Sequence, residues 1–452
     1  MNGEGAAVAT LAWSDGAAAD HATAAARMPL RQWLRTTPGI LRLFSIVAVV
    51  GLLAVGICGV QALTQRRDAT ESLATGTGPQ LTTTSDLYAS LAAADAIASS
   101  ALLQTSLETS ELHARYQDEL ATAHRLLVDL TGGSELSPTA QEAARQIATE
   151  LPSYGGRVAL ARANSRQGNP VGAAYMRAAS AQVRDEILPA ATTIWRDAAT
   201  RLDHDVHQGT STAWPAAFVI TGLCTLLLLV GLSWFVARRT HRLVNIGLVA
   251  AAMLLVVAGS ASLLVMAHQH SALVDGQSDG SDPLELLSAA HFLSLQGQAD
   301  ANLALAEQGT GQPYVAKFLA AADAVGGDDD HHGLIRDAQA LAGGRGEIQA
   351  LVSAFGHYRA VATAVRAEDD GGTHEEAVRL ALDETPAGLA GAATQVNDGM
   401  EHSMEAFEST LGAAAQDARL GLGVAIVALA IALVAAAVAV VVGLQPRIGE
   451  YR

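Results

Sequence analysis

Four long apolar runs divide this 452-residue chain into two near-equal halves built on one plan. They cover residues 43–63, 214–237, 243–267 and 420–444. Each reaches the roughly 20 apolar residues that cross about 30 Å of hydrocarbon. Polar, helix-patterned loops, residues 64–213 and 268–419, fill the space between the first and second runs and between the third and fourth. The chain therefore reads as an all-α membrane protein with four transmembrane helices, and function is to be sought in the two large loops.

Charge sets the expected orientation. Arg238, Arg239 and Arg242 crowd the turn 238–242, and Arg27, Arg31, Arg35 and Arg42 precede the first span. The positive-inside bias puts this turn, the tail 1–42 and the tail 445–452 in the cytoplasm. Arg66 and Arg67, just beyond span one, argue mildly the other way. The loops are acidic and uneven: net −5 over residues 64–213 and −17 over residues 268–419. Such loops are poor nucleic-acid binders, because phosphates need a basic surface. A single lysine, Lys317, stands against 27 arginines, a bias typical of high-GC bacterial genomes. Cys58 and Cys224 fall inside spans one and two, so no disulfide staples either loop. Span one runs straight into helix-patterned sequence and reads as a signal anchor.

The halves look like a duplication. Ala94-Asp95-Ala96 returns as Ala299-Asp300-Ala301 at an offset of 205, and Tyr154 and Arg162 return as Tyr358 and Arg366 at 204. Arg177 returns as Arg379 at 202. A fixed period means that each unit is one structural module. Turn signals predict four helical segments in loop one, 81–105, 109–131, 137–165 and 171–210. Loop two gives 284–307, 313–325, 334–367 and 374–418. Period-two alternation is scarce, so strands are not indicated. Four helices on short turns make an up-down-up-down bundle. The expected architecture is two tandem extracytoplasmic four-helix bundles, with the Gly/Thr/Ser/Asp-rich segments 64–80 and 268–283 interrupting the helices above the membrane. Turns at the far tips place Thr105, Glu108, Gln167 and Asn169 in loop one, and Gln312, Asp369 and Asp370 in loop two, where a partner can dock.

Asp95 and Asp300 sit on apolar helix stripes. A carboxylate facing a bundle core needs a partner. It serves either as a buried pair fixing helix register or as a polar switch or ligand contact, with Arg157, Arg162 and Arg366 as candidate partners. The run Asp328-Asp329-Asp330-His331-His332 lacks the alternation of a calcium loop and reads as a solvated acidic turn. Asp203, His204, Asp205 and His207 form either an exposed helix end or a pH- or metal-sensitive patch. No hydrolase elbow, phosphate loop, kinase signature or redox pair appears, so neither enzymatic activity nor a cofactor or metal is expected. The spans hold no Asp, Glu, Lys or Arg, unlike most pumps and ion-coupled transporters. Span four instead carries Gly423, Ala428, Ala432, Ala435, Ala436, Ala439 and Gly443, a face that holds the spans together or meets a partner or second copy. On the cytoplasmic side, Trp33 with Arg35 and its neighbours can lie on anionic lipid or dock a soluble partner, as can Arg238, Arg239 and Arg242.

The layout resembles the GlnX family of actinobacterial transmembrane proteins over essentially the whole chain. The resemblance rests on Leu34-Arg35-Thr36-Thr37-Pro38-Gly39, residues 91–96, the Arg-rich turn 238–242 and the terminal Glu450-Tyr451-Arg452. It implies a relay that reports extracytoplasmic aspartate and glutamate, held by a solute-binding lipoprotein, to a soluble serine/threonine kinase, protein kinase G. The rival readings are a transporter or channel subunit and a passive envelope scaffold.

Overall fold

The computed structural model describes residues 37–101, 103, 110–133, 136–169, 171–240, 245–307, 311–327, 332–343 and 346–449. Helix dominates them, and the only strand-like pairing among them is an isolated bridge between Gly327 and His332. The elements in order are α1 (Thr37–Ser72), α2 (Gly78–Ser100), α3 (Ser110–Gly133), α4 (Pro138–Arg166), α5 (Val171–Gln182), α6 (Leu188–Thr210) and α7 (Ala213–Thr240). The second half continues with α8 (Ile246–Gly276), α9 (Asp282–Ala306), α10 (Gln312–Gly326), α11 (Leu334–Leu341), α12 (Gly346–Asp370), α13 (His374–Leu382), α14 (Leu389–Arg419) and α15 (Leu422–Gly449). Four helical stretches are long and apolar enough to cross a membrane, which makes this a multi-pass membrane protein.

Two compact units emerge. The first comprises residues 1–60, 214–262 and 427–452, and its described part is the apolar helices. Leu53, Ile57, Leu227, Trp234 and Ile431 point outward with 60% or more of their surface uncovered, as lipid-facing side chains do. Small residues let the helices close in on one another. A Cβ on Gly247 would sit 2.6 Å from Gly443 Cα, so these backbones touch where span three meets span four. Asn245 locks the same crossing by donating to Gly443 O at 3.0 Å. Part of the small-residue stripe of span four thus holds helices together: Ala436 is fully buried, whereas Ala428 and Ala435 face outward.

The second unit comprises residues 61–213 and 263–426 and contains both polar loops. In the first loop α2 packs on α3 and α6, and α4 packs on α5 and α6. In the second, α9 packs on α10, α11 and α14, while α12 packs on α13 and α14. Helix starts obey local chemistry: Ser137 accepts from Ala140 N at 3.1 Å and Pro138 fills the first turn of α4. One continuous core runs through both loops, with Leu87, Leu91, Ile147 and Tyr154 in the first copy and Leu287, Leu351, Tyr358 and Phe407 in the second.

The copies meet along α2 and α9. Their contacts repeat the register of the sequence match. Tyr88 stacks on Phe292 with centroids 3.7 Å apart, and Ser85 donates to Ser288 at 3.3 Å. Arg66 bonds Gln269. Partners in each pair lie 203 or 204 positions apart, as residues on a two-fold axis must when each meets its own counterpart. The duplication is therefore also a pseudo-symmetric interface.

Several expected boundaries differ. The Gly/Thr/Ser/Asp-rich segments do not interrupt the helices. Each instead makes one π-helical turn, Leu73–Thr77 and Gln277–Ser281, again 204 positions apart. A third π turn, Val183–Ile187, joins α5 to α6. Such turns keep the helix continuous with one extra residue, because hydrogen bonds shift from i+4 to i+5. In the second copy, the segments expected as single helices over 334–367 and 374–418 are each broken, between α11 and α12 and over residues 383–388.

Candidate functional site

The two core aspartates share one arginine. Arg184 sits in the π turn Val183–Ile187, and its Nη1 donates to Asp300 Oδ1. Its Nε stands 3.9 Å from Asp95 Oδ2, an ion-pair distance too long for a hydrogen bond. Asp95 Oδ1 accepts from Ser180 Oγ at 2.7 Å, and Asn302 donates to Ala96 O at 3.3 Å beside it. All three charged side chains are deeply covered: 3% of Asp95, 7% of Asp300 and 12% of Arg184 remain exposed. Burial pushes the Asp95 carboxyl up, against the pull of Arg184 and Ser180. It also drives Asp300 up to about 6, against Arg184 and Lys317 and with help from Asp95. A single guanidinium cannot neutralise two carboxylates, so the trio carries net charge −1 when both are ionised. It is a cluster whose pairing can be redistributed by a proton or a small displacement.

The partners expected from the sequence, Arg157, Arg162 and Arg366, are elsewhere. Arg157 donates to Ala178 O at 3.2 Å. Arg162 bonds His113 and lies over the Tyr116 ring, 4.4 Å from its centroid. Arg366 lines a cavity in the second copy. Arg184 escapes a reading of the sequence because it stands in the polar run Arg184-Asp185-Glu186, where no apolar stripe marks it. The π turn rotates it onto the interface, and no sequence signal announces a π turn of this kind.

Of the tip residues, Gln312, Asp369 and Asp370 come together. They line a cavity of about 270 Å³ with Arg366 and His374, floored by Val315 and Phe318. His374 Nδ1 stands 2.6 Å from Asp369 Oδ1. Gln167 and Asn169 are exposed in the turn after α4, where Asn169 Nδ2 donates to Gln167 Oε1 at 3.3 Å. Thr105 and Glu108 lie outside the described residues, as do Trp33, Arg35, Arg242 and the run from Asp328 to His331. Arg238 stacks over Trp234, 3.9 Å from its centroid, and the side chain of Arg239 is also outside the described set.

Two further expectations change. Asp205, read with Asp203, His204 and His207 as an exposed helix end or a pH- or metal-sensitive patch, turns inward. Its Oδ2 accepts from Ser72 Oγ at 2.6 Å and Thr77 Oγ1 at 3.0 Å, clasping the first π turn. Arg66 is buried and donates to Met266 O and Ser211 O, each at 3.1 Å, besides Gln269. It ties α1, α8 and the segment between α6 and α7 together. Among the described residues, no three His, Cys, Asp or Glu side chains gather as a metal site.

The interface trio draws Asp95 and Arg184, with Ser180 beside them, from one stretch of the chain, and that stretch has a known likeness. Residues 69–207 match the model of the actinobacterial sensor domain family. The match covers the first bundle with its π turns, and it supports an actinobacterial sensor protein with a sensing or signalling role. A sensor domain of this kind points to a non-catalytic function. No curated protein and no solved structure matches the chain.

Proposed function

We propose that this chain is a non-enzymatic transmembrane signal relay that reports extracytoplasmic aspartate or glutamate to a cytoplasmic serine/threonine kinase. Both bundles stand outside the cell, and the termini and the turn 238–242 stand inside. A solute-binding lipoprotein carries the amino acid and docks at a bundle tip, near Gln312, Asp369 and Asp370. The inner contacts fall to Arg238, Arg239, Arg242, Trp33 and Arg35, with membrane lipid as the second partner of the basic segment. Engagement of Arg66 in three hydrogen bonds removes it as an argument against this orientation.

The observation that carries the reading is the sharing of Arg184 between Asp95 and Asp300. These carboxylates stand on α2 and α9, the helices that continue spans one and three through one π turn each. A displacement that favours one carboxylate over the other therefore moves helices leading to two different spans. Docking transmits a signal only if the loaded lipoprotein has different affinity for the two arrangements. The full-length protein in lipid nanodiscs is expected to bind amino-acid-loaded lipoprotein at least about tenfold more tightly than empty lipoprotein, a coupling of about 1.4 kcal/mol. Equal affinities would sink the relay. Crosslinking in native membranes followed by mass spectrometry is expected to recover the lipoprotein on the bundles and the kinase on residues 238–242. Recovery of neither partner would count against both assignments.

A further inference from the structure

A second cavity, of about 890 Å³, lies between the two copies, walled by α2 and α3 on one side and α9 and α14 on the other. Seven carboxylates line it: Asp86, Glu119, Glu384, Asp398, Glu401, Glu405 and Glu408. Among the described residues, Arg115 is the only arginine or lysine along its walls, and Glu111 at 2.9 Å and Glu384 at 3.8 Å already engage it. Burial raises Asp86 to about 6 with help from Glu408, and raises Glu401 with help from Asp398 and Asp86. Glu119 is raised by burial as well, with Glu401 adding to it. These carboxylates repel one another across a partly desolvated space.

A separate observation points to a ligand with N–H groups. His291 lines the same cavity, is 2% exposed, and its Nδ1 has no hydrogen-bond partner among the described residues. Burial lowers its pKa to about 4, so the ring is neutral at pH 7 and Nδ1 can accept a proton donor. Tyr358 also lines the cavity, and its buried hydroxyl has no partner among the described residues either. Buried polar atoms without partners are uncommon and call for an explanation.

The kind of cation is set by the lining. No three His, Cys, Asp or Glu side chains among the described residues converge as a metal site, so the carboxylates do not form one ion's shell. The same walls also carry apolar side chains, Ala89, Ala93, Ile97 and Leu295, beside neutral polar ones such as Gln298 and Asn397. Walls that combine several carboxylates with hydrocarbon complement a molecule that combines ammonium groups with methylenes. We propose that this cavity binds a linear aliphatic polyamine, its ammonium groups on the carboxylates, its methylenes along Ala93, Ile97 and Leu295, and one N–H donated to His291 Nδ1. The site lies on the seam between the copies, so occupancy ties them together. It goes beyond the relay reading and does not depend on the identity of the lipoprotein or kinase.

The test is calorimetric titration of spermidine into the full-length protein in nanodiscs of zwitterionic lipid, at about 0.1 M salt to screen loose surface attraction. Saturable binding is expected. The double variant Glu119→Gln/Glu401→Gln is expected to weaken it by at least about tenfold, since each charge-assisted bond to the ligand is among the stronger kinds. The variant Ala93→Leu, which keeps every charge and fills the cavity, is expected to weaken binding comparably at an unchanged melting temperature. Magnesium at equal charge concentration is expected to leave binding in place. Absence of saturable binding, full affinity in Ala93→Leu, or displacement by magnesium would each overturn the proposal. Failure here leaves the lipoprotein affinities of the relay untouched, so the two readings fall separately.

Discussion

The two copies of the repeat share a register but divide the work unequally. In the first, α5 and α6 form one continuous helix through a π turn that delivers Arg184 to the interface. In the second, the corresponding stretch is broken over residues 383–388, between α13 and α14, and supplies no arginine. The result is one cation serving two symmetry-related carboxylates. Their link is the one a symmetric pair would not have, because two intact copies would bring two arginines. The difference teaches that a shared register can build a symmetric interface while one unmatched charge sets its balance.

The strongest way to break the comparison is to remove that charge. Arg184→Met leaves two buried carboxylates without the cation they share, and loss of one partner of a buried pair costs about 3 to 5 kcal/mol. Denaturant unfolding of the purified protein is expected to show that loss. Asp95→Asn/Asp300→Asn in the same background is expected to recover most of it. No recovery would mean that Arg184 acts through packing alone.

The pH dependence comes next. Asp300 and Asp86 both stand at about 6 in the folded chain, above the ordinary aspartate range. The folded form therefore holds their protons more tightly than the unfolded form does. Stability contributed by these groups is present below about pH 4 and is lost as pH rises through about 6. Thermal melts are expected to show a melting temperature that falls as pH is raised from about 4 to 7. Asp300→Asn is expected to flatten the profile through removal of the group facing Arg184, Lys317 and Asp95. An unchanged slope would place the titration elsewhere.

The π turns are held differently and are expected to respond differently. Asp205 clasps the first through Ser72 and Thr77, so Asp205→Ala removes two hydrogen bonds to a carboxylate and costs about 2 kcal/mol. In the second copy Gly280 lies against the Leu411 backbone, and an added Cβ would stand 3.2 Å from Leu411 N. Gly280→Ala is expected to disturb the second turn and leave the first intact. Hydrogen exchange across residues 73–77 and 277–281 would separate the two, and coincident changes in both variants would contradict independent turns.

The smallest expected effect concerns the register mates Arg177 and Arg379. Arg177 reaches Glu307 of the other copy at 2.7 Å, with Glu307 12% exposed. Arg379 pairs within its own helix, with Glu376 three residues away, and both are solvated. Arg177→Ala is expected to cost about 1 kcal/mol, and Arg379→Ala nothing measurable, as exposed pairs contribute little. Equal effects in unfolding titrations would remove this asymmetry between the copies.

The sequence by itself determined the four spans, the helical class, most helix boundaries and the repeat register. These come from local composition and periodicity, since an apolar run or a 3.6-residue stripe carries its meaning wherever the chain goes. It also singled out Asp95 and Asp300, because a carboxylate on an apolar stripe is conspicuous. It placed Gln312 and the pair Asp369 and Asp370 in two turns at the far tip of loop two, and one cavity is lined by all three. Only the tertiary structure decided that Arg184 joins the aspartates, that the loops pack into one unit, and that a carboxylate-lined cavity opens on their seam. A π turn adds one residue and rotates the remainder of the helix by about 100°, so a periodic reading loses phase there. An interface between copies depends on which faces remain after each bundle has closed, and no local window contains that information.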